Sequence, residues 1–504
     1  MLTIEKRNQT KSLVIYLAIM ILIVAAALAC AGQKAHAEKI KGEVAVCAPT
    51  ITSVENTKQG VLLTWKKVKG RSVSTYRVYR KSYKSGSKWK CLKTCGSSMS
   101  TWQNVTTKLT EGNAYKYVVI AYKKKAHELS AKTPPAGAVS KAVKIYRLDP
   151  VKMKSISATS ATGASAKWAK KRCASGYEIQ FSKEPLFLSY ETVVVRGSSK
   201  TSINASLNVE SKKRYARIRA YKTNSGVTSR SCWSYSPNYK SSPKLKIRYY
   251  ARKGKKMEYR KLAKQKLYGY DVFQGGSQKD GYSYSFLLNK KKNLAKLTKI
   301  DLTTGKVKKV GKSKIRGHAN SLTYNPDNKK LVCTNSDRYI KYFTLINPGS
   351  MKKSRMKQAV IPKEICGISK ARIKNKIIGF TAISYNPVKK KYVARIKNSR
   401  NFVVLSKSFV VERYISVSKR LWQLKQSMIC TNDLIIDLQS ANGGRYNILV
   451  LYDWAGNYIS TVRMDKKYEA EDIFEYNGNL YGQVYHSYMK KHKFKRCNYL
   501  FRAE

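Results

Sequence analysis

Apolar and polar residues alternate in short runs along most of this chain. Leu63-Thr64-Trp65, Thr75-Tyr76-Arg77-Val78-Tyr79 and the run from Tyr115 to Tyr122 form one set. Ala166-Lys167-Trp168, Gly176-Tyr177-Glu178-Ile179-Gln180-Phe181 and the run from Tyr215 to Tyr221 form a second, about a hundred residues later. A two-residue period is that of a half-buried strand, so each set predicts a small β-sandwich. From about residue 249 the Trp, Tyr and Ala punctuation stops and another repeat begins. Leu322-Thr323-Tyr324-Asn325-Pro326 recurs as Ile383-Ser384-Tyr385-Asn386-Pro387, and a looser copy runs from Ile473 to Tyr481. Each copy reads as a strand, an Asn-Pro or Asn-Gly turn and a returning strand. Small sheets repeated in this way, with no convincing amphipathic helix, predict a β-propeller. Turn signals place about five blades, starting near residues 266, 316, 358, 419 and 467.

The first set resembles fibronectin type III domains of the kind found in secreted Gram-positive bacterial proteins. Leu109, Tyr115 six residues on and Ala121 six further fit the tyrosine corner of that family. The second copy keeps Trp168 and Tyr177 but carries Arg214 where the corner Tyr belongs, with Tyr215 one later. The resemblance implies structural cores built on Trp65, Tyr76 and Tyr115, and on Trp168, Tyr177 and Tyr215. Gln274-Gly275-Gly276, Lys299-Ile300-Asp301-Leu302 and Gly317-His318-Ala319-Asn320 are similar to propeller-type, helveticin-like secreted domains. The fold expected is therefore all-β: two fibronectin type III-like β-sandwiches followed by a β-propeller-like domain. Its divisions are a signal peptide over 1–37, a linker over 38–48, sandwiches over 49–146 and 147–248, a basic linker over 249–265 and the propeller over 266–504.

The N-terminus supplies the compartment. Lys6, Arg7 and Lys11 precede an apolar run from Leu13 to Ala31, and Ala35-His36-Ala37 offers a small-x-small cleavage site. The expectation is a secreted or envelope-associated protein that contacts a membrane only through this segment if it stays uncleaved. Charge then narrows the partners: 101 Lys plus Arg against 28 Asp plus Glu give +73. A chain so basic attracts anions. Outside a cell these are anionic wall polymers, polysaccharides and surface proteins, and no nucleic acid is expected. The bland reading of the same lysines, that they keep exposed strand edges soluble, stands beside this one.

Removing Cys30 with the leader leaves nine cysteines, so full pairing within one chain is excluded. Cys173 and Cys232 are the candidate pair. A Cys-x3-Cys at Cys91 and Cys95 has no second ligand pair at zinc spacing. No cofactor or metal is implied.

Gln274, His318 and Asn320, at blade starts, are the candidate ligand-binding residues, and His318, Glu469 and Glu471 the candidate catalytic ones, because such positions converge on a propeller's channel. Lactonase-like propellers hold a divalent cation with oxygens of this kind. Set against that, His318 and Asn320 suit a turn, and Glu469-Ala470-Glu471-Asp472 suits a solvated strand start. No nucleophile elbow, phosphate loop or HExxH is present. The function expected is binding or adhesion, with the sandwiches as spacers presenting the propeller. A secreted hydrolase or lyase, and a bacteriocin-like envelope-active protein, are the alternatives.

Overall fold

The computed structural model describes residues 48–504 apart from 69–72, 107, 124–139, 212, 238–242, 250, 253–254, 257–271, 290, 292, 318, 335–341, 369–378, 398, 419–423, 442–445, 465–467 and 491–492. The leader, the 38–48 linker up to its last residue and most of the basic linker lie outside the described residues. The elements described are strands, and no helix among the described residues is long and apolar enough to cross a membrane.

The alternating runs become two sandwiches. In the first, Thr50–Thr57, Gly60–Lys66 and Thr101–Val105 form one sheet. Lys90–Gly96, Thr75–Ser82, Ala114–Tyr122 and Val143–Tyr146 form the other. Trp65 meets Tyr76 edge-on at 5.8 Å between them, and the Tyr115 hydroxyl accepts the Thr110 N–H at 2.9 Å, closing the corner. In the second, Met153–Ala158, Gly163–Trp168 and Ser202–Ser206 face Glu191–Arg196, Gly176–Ser182, Tyr215–Asn224 and Val227–Arg230. Trp168 and Tyr177 repeat the ring contact at 5.2 Å. The corner is remade with different chemistry: Arg214 donates to the Ala161 and Val209 carbonyls at 2.6 and 2.5 Å, so a guanidinium ties down the loop that the Tyr115 hydroxyl ties down in the first copy. Tyr215 is buried, but it belongs to the cluster joining this sandwich to the propeller and not to the sandwich core.

Five sheets form the propeller, and their innermost strands neighbour one another in a closed circuit. These strands are Val272–Lys279, Leu322–Asn325, Phe380–Asn386, Leu424–Cys430 and, in the fifth blade, Glu469–Ala470 with Phe474–Tyr476. The third begins well past residue 358, because the connection before it makes an excursion to the first sandwich. The Thr-Tyr-Asn-Pro repeat has a mechanical reason. Ser277 Oγ accepts the Tyr324 N–H at 2.8 Å, Thr323 Oγ1 accepts the Tyr385 N–H at 2.9 Å, and Ser384 Oγ accepts the Cys430 N–H at 3.0 Å. Hydroxyl residues one position before Tyr324 and Tyr385 thus stitch each inner strand to the next blade, and Asn325 and Asn386 cap the turns that follow. The third copy is a tight hairpin with Asn477 and Gly478 at φ 48° and 71°, the left-handed pair that matches strand twist. Closure of the fifth blade comes from the other end of the domain: Ile247–Tyr249, in the stretch read as the end of the second sandwich and start of the linker, pairs with Phe501 to Ala503.

The sandwiches lie against the propeller, which corrects the expectation that they hold it at a distance. Glu364, between the second and third blades, accepts the Gly96 N–H at 2.5 Å, and neighbouring Cys366 is buried in the first sandwich's own core cluster. In return the second sandwich inserts Leu186 and Phe187 among Leu245, Leu480 and Phe501. The connection between the sandwiches is also fixed, since Arg147 donates to the Thr57 and Gly60 carbonyls, both at 2.7 Å. The described cysteines with placed side chains, Cys173 and Cys232 included, are free thiols.

Candidate functional site

The centre of the propeller gathers most of the residues singled out from sequence. Its geometry begins with Gln274-Gly275-Gly276, where a bulge interrupts the first inner strand. Gly275 sits at φ 55°, and a Cβ there would lie 2.3 Å from the Ala319 carbonyl; a Cβ on Gly276 would lie 2.5 Å from Asp472 Oδ2. Both neighbours are fixed groups, so only glycine lets this strand wedge between the second and fifth blades. The wedge brings Gln274 beside the acidic segment: its amide nitrogen donates to Glu471 Oε2 at 3.3 Å. Two residues back along the same extended segment, Glu469 accepts from the Gln426 amide at 3.3 Å.

From Gln426 the polar belt continues into the third and fourth blades. The Gln426 carbonyl accepts from Arg395 at 2.6 Å, and Arg395 is paired with Asp437. Both side chains are enclosed, and Gln439 donates to the second Asp437 oxygen at 2.9 Å. An ion pair so enclosed is tolerable because its remaining lone pairs and protons are satisfied. Asp472 points the other way, between blades one and five, and accepts the Gln483 N–H at 2.6 Å. Burial pushes its carboxyl up to about 7, against the lowering effect of that bond and of the Ser285 hydroxyl.

Buried acceptors of this region with no hydrogen-bond partner among the described residues include Gln274 Oε1 and Asn320 Oδ1, together with Gln439 Oε1 and Gln483 Oε1. The structure thus joins Gln274 to Glu471 and places Asn320 against Gly275, while Glu469 reaches Gln426. His318 lies outside the described residues. Gln426, Arg395, Asp437 and Gln439 escaped the sequence reading, since each stands alone in an ordinary strand pattern with nothing local to mark it. Among the described residues no group of three His, Cys, Asp or Glu side chains is arranged to hold a metal. What the belt offers is a row of fixed amide and carboxylate groups suited to hydroxyl, amide or ammonium donors.

No family model and no curated protein matches the chain. Solved structures similar to it include glutaminyl cyclase of Myxococcus xanthus, 10% identical over 52% of this chain and 97% of that one with a TM-score of 0.35. Hydrazine synthase of Kuenenia stuttgartiensis is 12% identical over 47% of this chain and 65% of that one, at 0.26. A two-domain fibronectin type III segment of chicken tenascin is 17% identical over 38% of this chain and 97% of that one, at 0.18.

Proposed function

We propose that the protein is a secreted, envelope-associated binding protein whose propeller centre takes a hydroxyl-rich ligand, a wall polymer or surface glycan. The observation that carries this reading is the pair of buried, unpartnered acceptors, Gln274 Oε1 and Asn320 Oδ1, beside carboxylates that amides already hold in place. A buried acceptor without a donor is costly, and a ligand hydroxyl removes the cost. The surplus of lysine supplies long-range attraction to anionic surfaces and shortens the search.

The test is an array of wall polymers and glycans probed with the full chain, wild type and Gln274→Ala. Retention of one glycan class at high salt, lost in Gln274→Ala, supports a shaped site. Binding that only follows ionic strength and ignores Gln274 refutes it. A hydrolase or lyase is the second reading, favoured by Asp472, whose carboxyl stays protonated toward neutral pH. It requires glycan turnover that Asp472→Asn abolishes.

A further inference from the structure

The two sandwiches and the propeller enclose between them a cleft of about 460 Å³. That is the size of a small-molecule site, and all three domains contribute to its wall: Asn56 and Lys144 from the first sandwich, Arg219, Arg230 and Trp233 from the second, Lys389 and Trp454 from the propeller. Docking of the domains therefore creates it.

Its chemistry is specific. Two indoles are held in fixed poses. Trp454 donates its ring N–H to the Thr431 carbonyl at 3.0 Å and lies under Lys389 Nζ at 5.2 Å. Trp233 lies under the Arg219 and Arg217 guanidinium groups at 4.2 and 4.7 Å. Its own ring N–H is buried and has no partner among the described residues. Four basic side chains, Lys144, Arg219, Arg230 and Lys389, line the cleft against three carboxylates, Glu55, Asp433 and Asp453. Arg219 and Arg230 share one carboxylate, Glu178, at 2.6 and 2.8 Å. Asp433 is taken by Arg217, and the oxygens of Asp453 are occupied by the Ala455 and Asn457 N–H groups and the Asn457 amide. Lys144 and Lys389 have aromatic rings and no carboxylate beside them among the described residues.

We infer that this cleft binds an acidic saccharide, a sugar ring bearing a carboxylate. The indole plates take the ring's apolar face. Lys389 and Arg230 take the anion through charge-assisted hydrogen bonds, and hydroxyls meet the Asn432 side chain at the rim. The site is separate from the propeller centre and does not rest on the reading given to that centre.

The test uses the full chain at near-physiological salt, with tryptophan emission as the signal and three probes: a galacturonate trisaccharide, its methyl ester and tripolyphosphate. The trisaccharide is expected to shift the emission and bind about tenfold or more tighter than either control, a difference of about 1.4 kcal/mol. Trp454→Ala and Lys389→Gln are each expected to lose about that factor, whereas Gln274→Ala leaves it unchanged. Trp454→Phe, which keeps a ring, retains part of the affinity, and Lys389→Gln decides the matter if Trp454→Ala does not fold. Tripolyphosphate binding as tightly as the sugar, the trisaccharide failing to bind wild type, or both Trp454→Phe and Lys389→Gln binding like wild type would each overturn the assignment.

Discussion

The two sandwiches agree on their inward faces and disagree on their outward ones. Tyr76 and Ala121 pair across strands in the first as Tyr177 and Ala220 do in the second. On the opposite face of those strands, Val118 and Ile120 join Tyr79 and Tyr122 in a second apolar cluster. The corresponding positions of the second sandwich are Arg217 and Arg219, which meet Gln180, Glu178 and, across the domain boundary, Asp433. The shared face makes the fold; the divergent face decides what each copy leans on. Docking follows the same division, since the first sandwich receives Cys366 into its core while the second lends Leu186 and Phe187 to the propeller.

The largest effect should come from attacking what the copies share. Trp65→Ala and Trp168→Ala are each expected to cost ~3–5 kcal/mol, measured by urea unfolding, as large truncations in closed cores. Unequal losses would mean that the two cores are not equivalent. Arg217→Val gives the second sandwich the residue type of the first at that position. It leaves Asp433 without its cation, and because Asp433 is partly open to water the loss should be about 1–3 kcal/mol. An unchanged midpoint would remove Arg217 from the docking account.

A third test reads a slope. Glu184, enclosed at the base of the loop that inserts into the propeller, accepts the Leu186 and Leu188 N–H groups at 2.5 and 2.6 Å. Burial outweighs those bonds and pushes its carboxyl from 4.5 up to about 7. The folded state therefore keeps this proton where the unfolded state has lost it. The stabilisation is complete below about pH 4.5 and disappears as pH rises to about 7. Asp472 adds a fall of the same sign, between about 3.8 and about 7. Glu184→Gln should flatten its share of the decline in a pH series of unfolding midpoints, and an unaltered slope would assign the decline elsewhere. The smallest effect belongs to Trp89→Ala. Only partly buried under Lys81, it should cost less than about 1 kcal/mol, against several for Trp65 in the same domain.

These contrasts also explain what could be read from the chain. Trp65, Tyr76, Trp168 and Tyr177 were legible because a buried face imposes its period on nearby sequence. The Thr-Tyr-Asn-Pro repeat was legible because the second and third blades use the same hydroxyl and the same turn cap. Glu469, Glu471 and the paired glycines stood out locally, as clustered charge and as missing side chains. Arg214 stands out in the sequence as a departure, but its substitution for a tyrosine corner depends on the Ala161 and Val209 carbonyls that the fold brings to it. The Arg395 and Asp437 pair and the Arg217 and Asp433 pair were illegible, because long-range partners leave no spacing to detect. The assignment of the second sandwich's outward face had the same obstacle: its partner is some two hundred residues away.

The strand from Ile247 to Tyr249 has a kinetic consequence. The first four blades consist of neighbouring hairpins, which nucleate from nearby residues. The fifth needs Ile247 to find Ala503, a separation of about 250 residues, and long-range encounters of this kind are the slow ones in folding. Until they meet, the propeller is an open arc with a bare strand edge at one end, the state most exposed to pairing with other chains. The ring becomes a single cooperative object only when that seam is sewn.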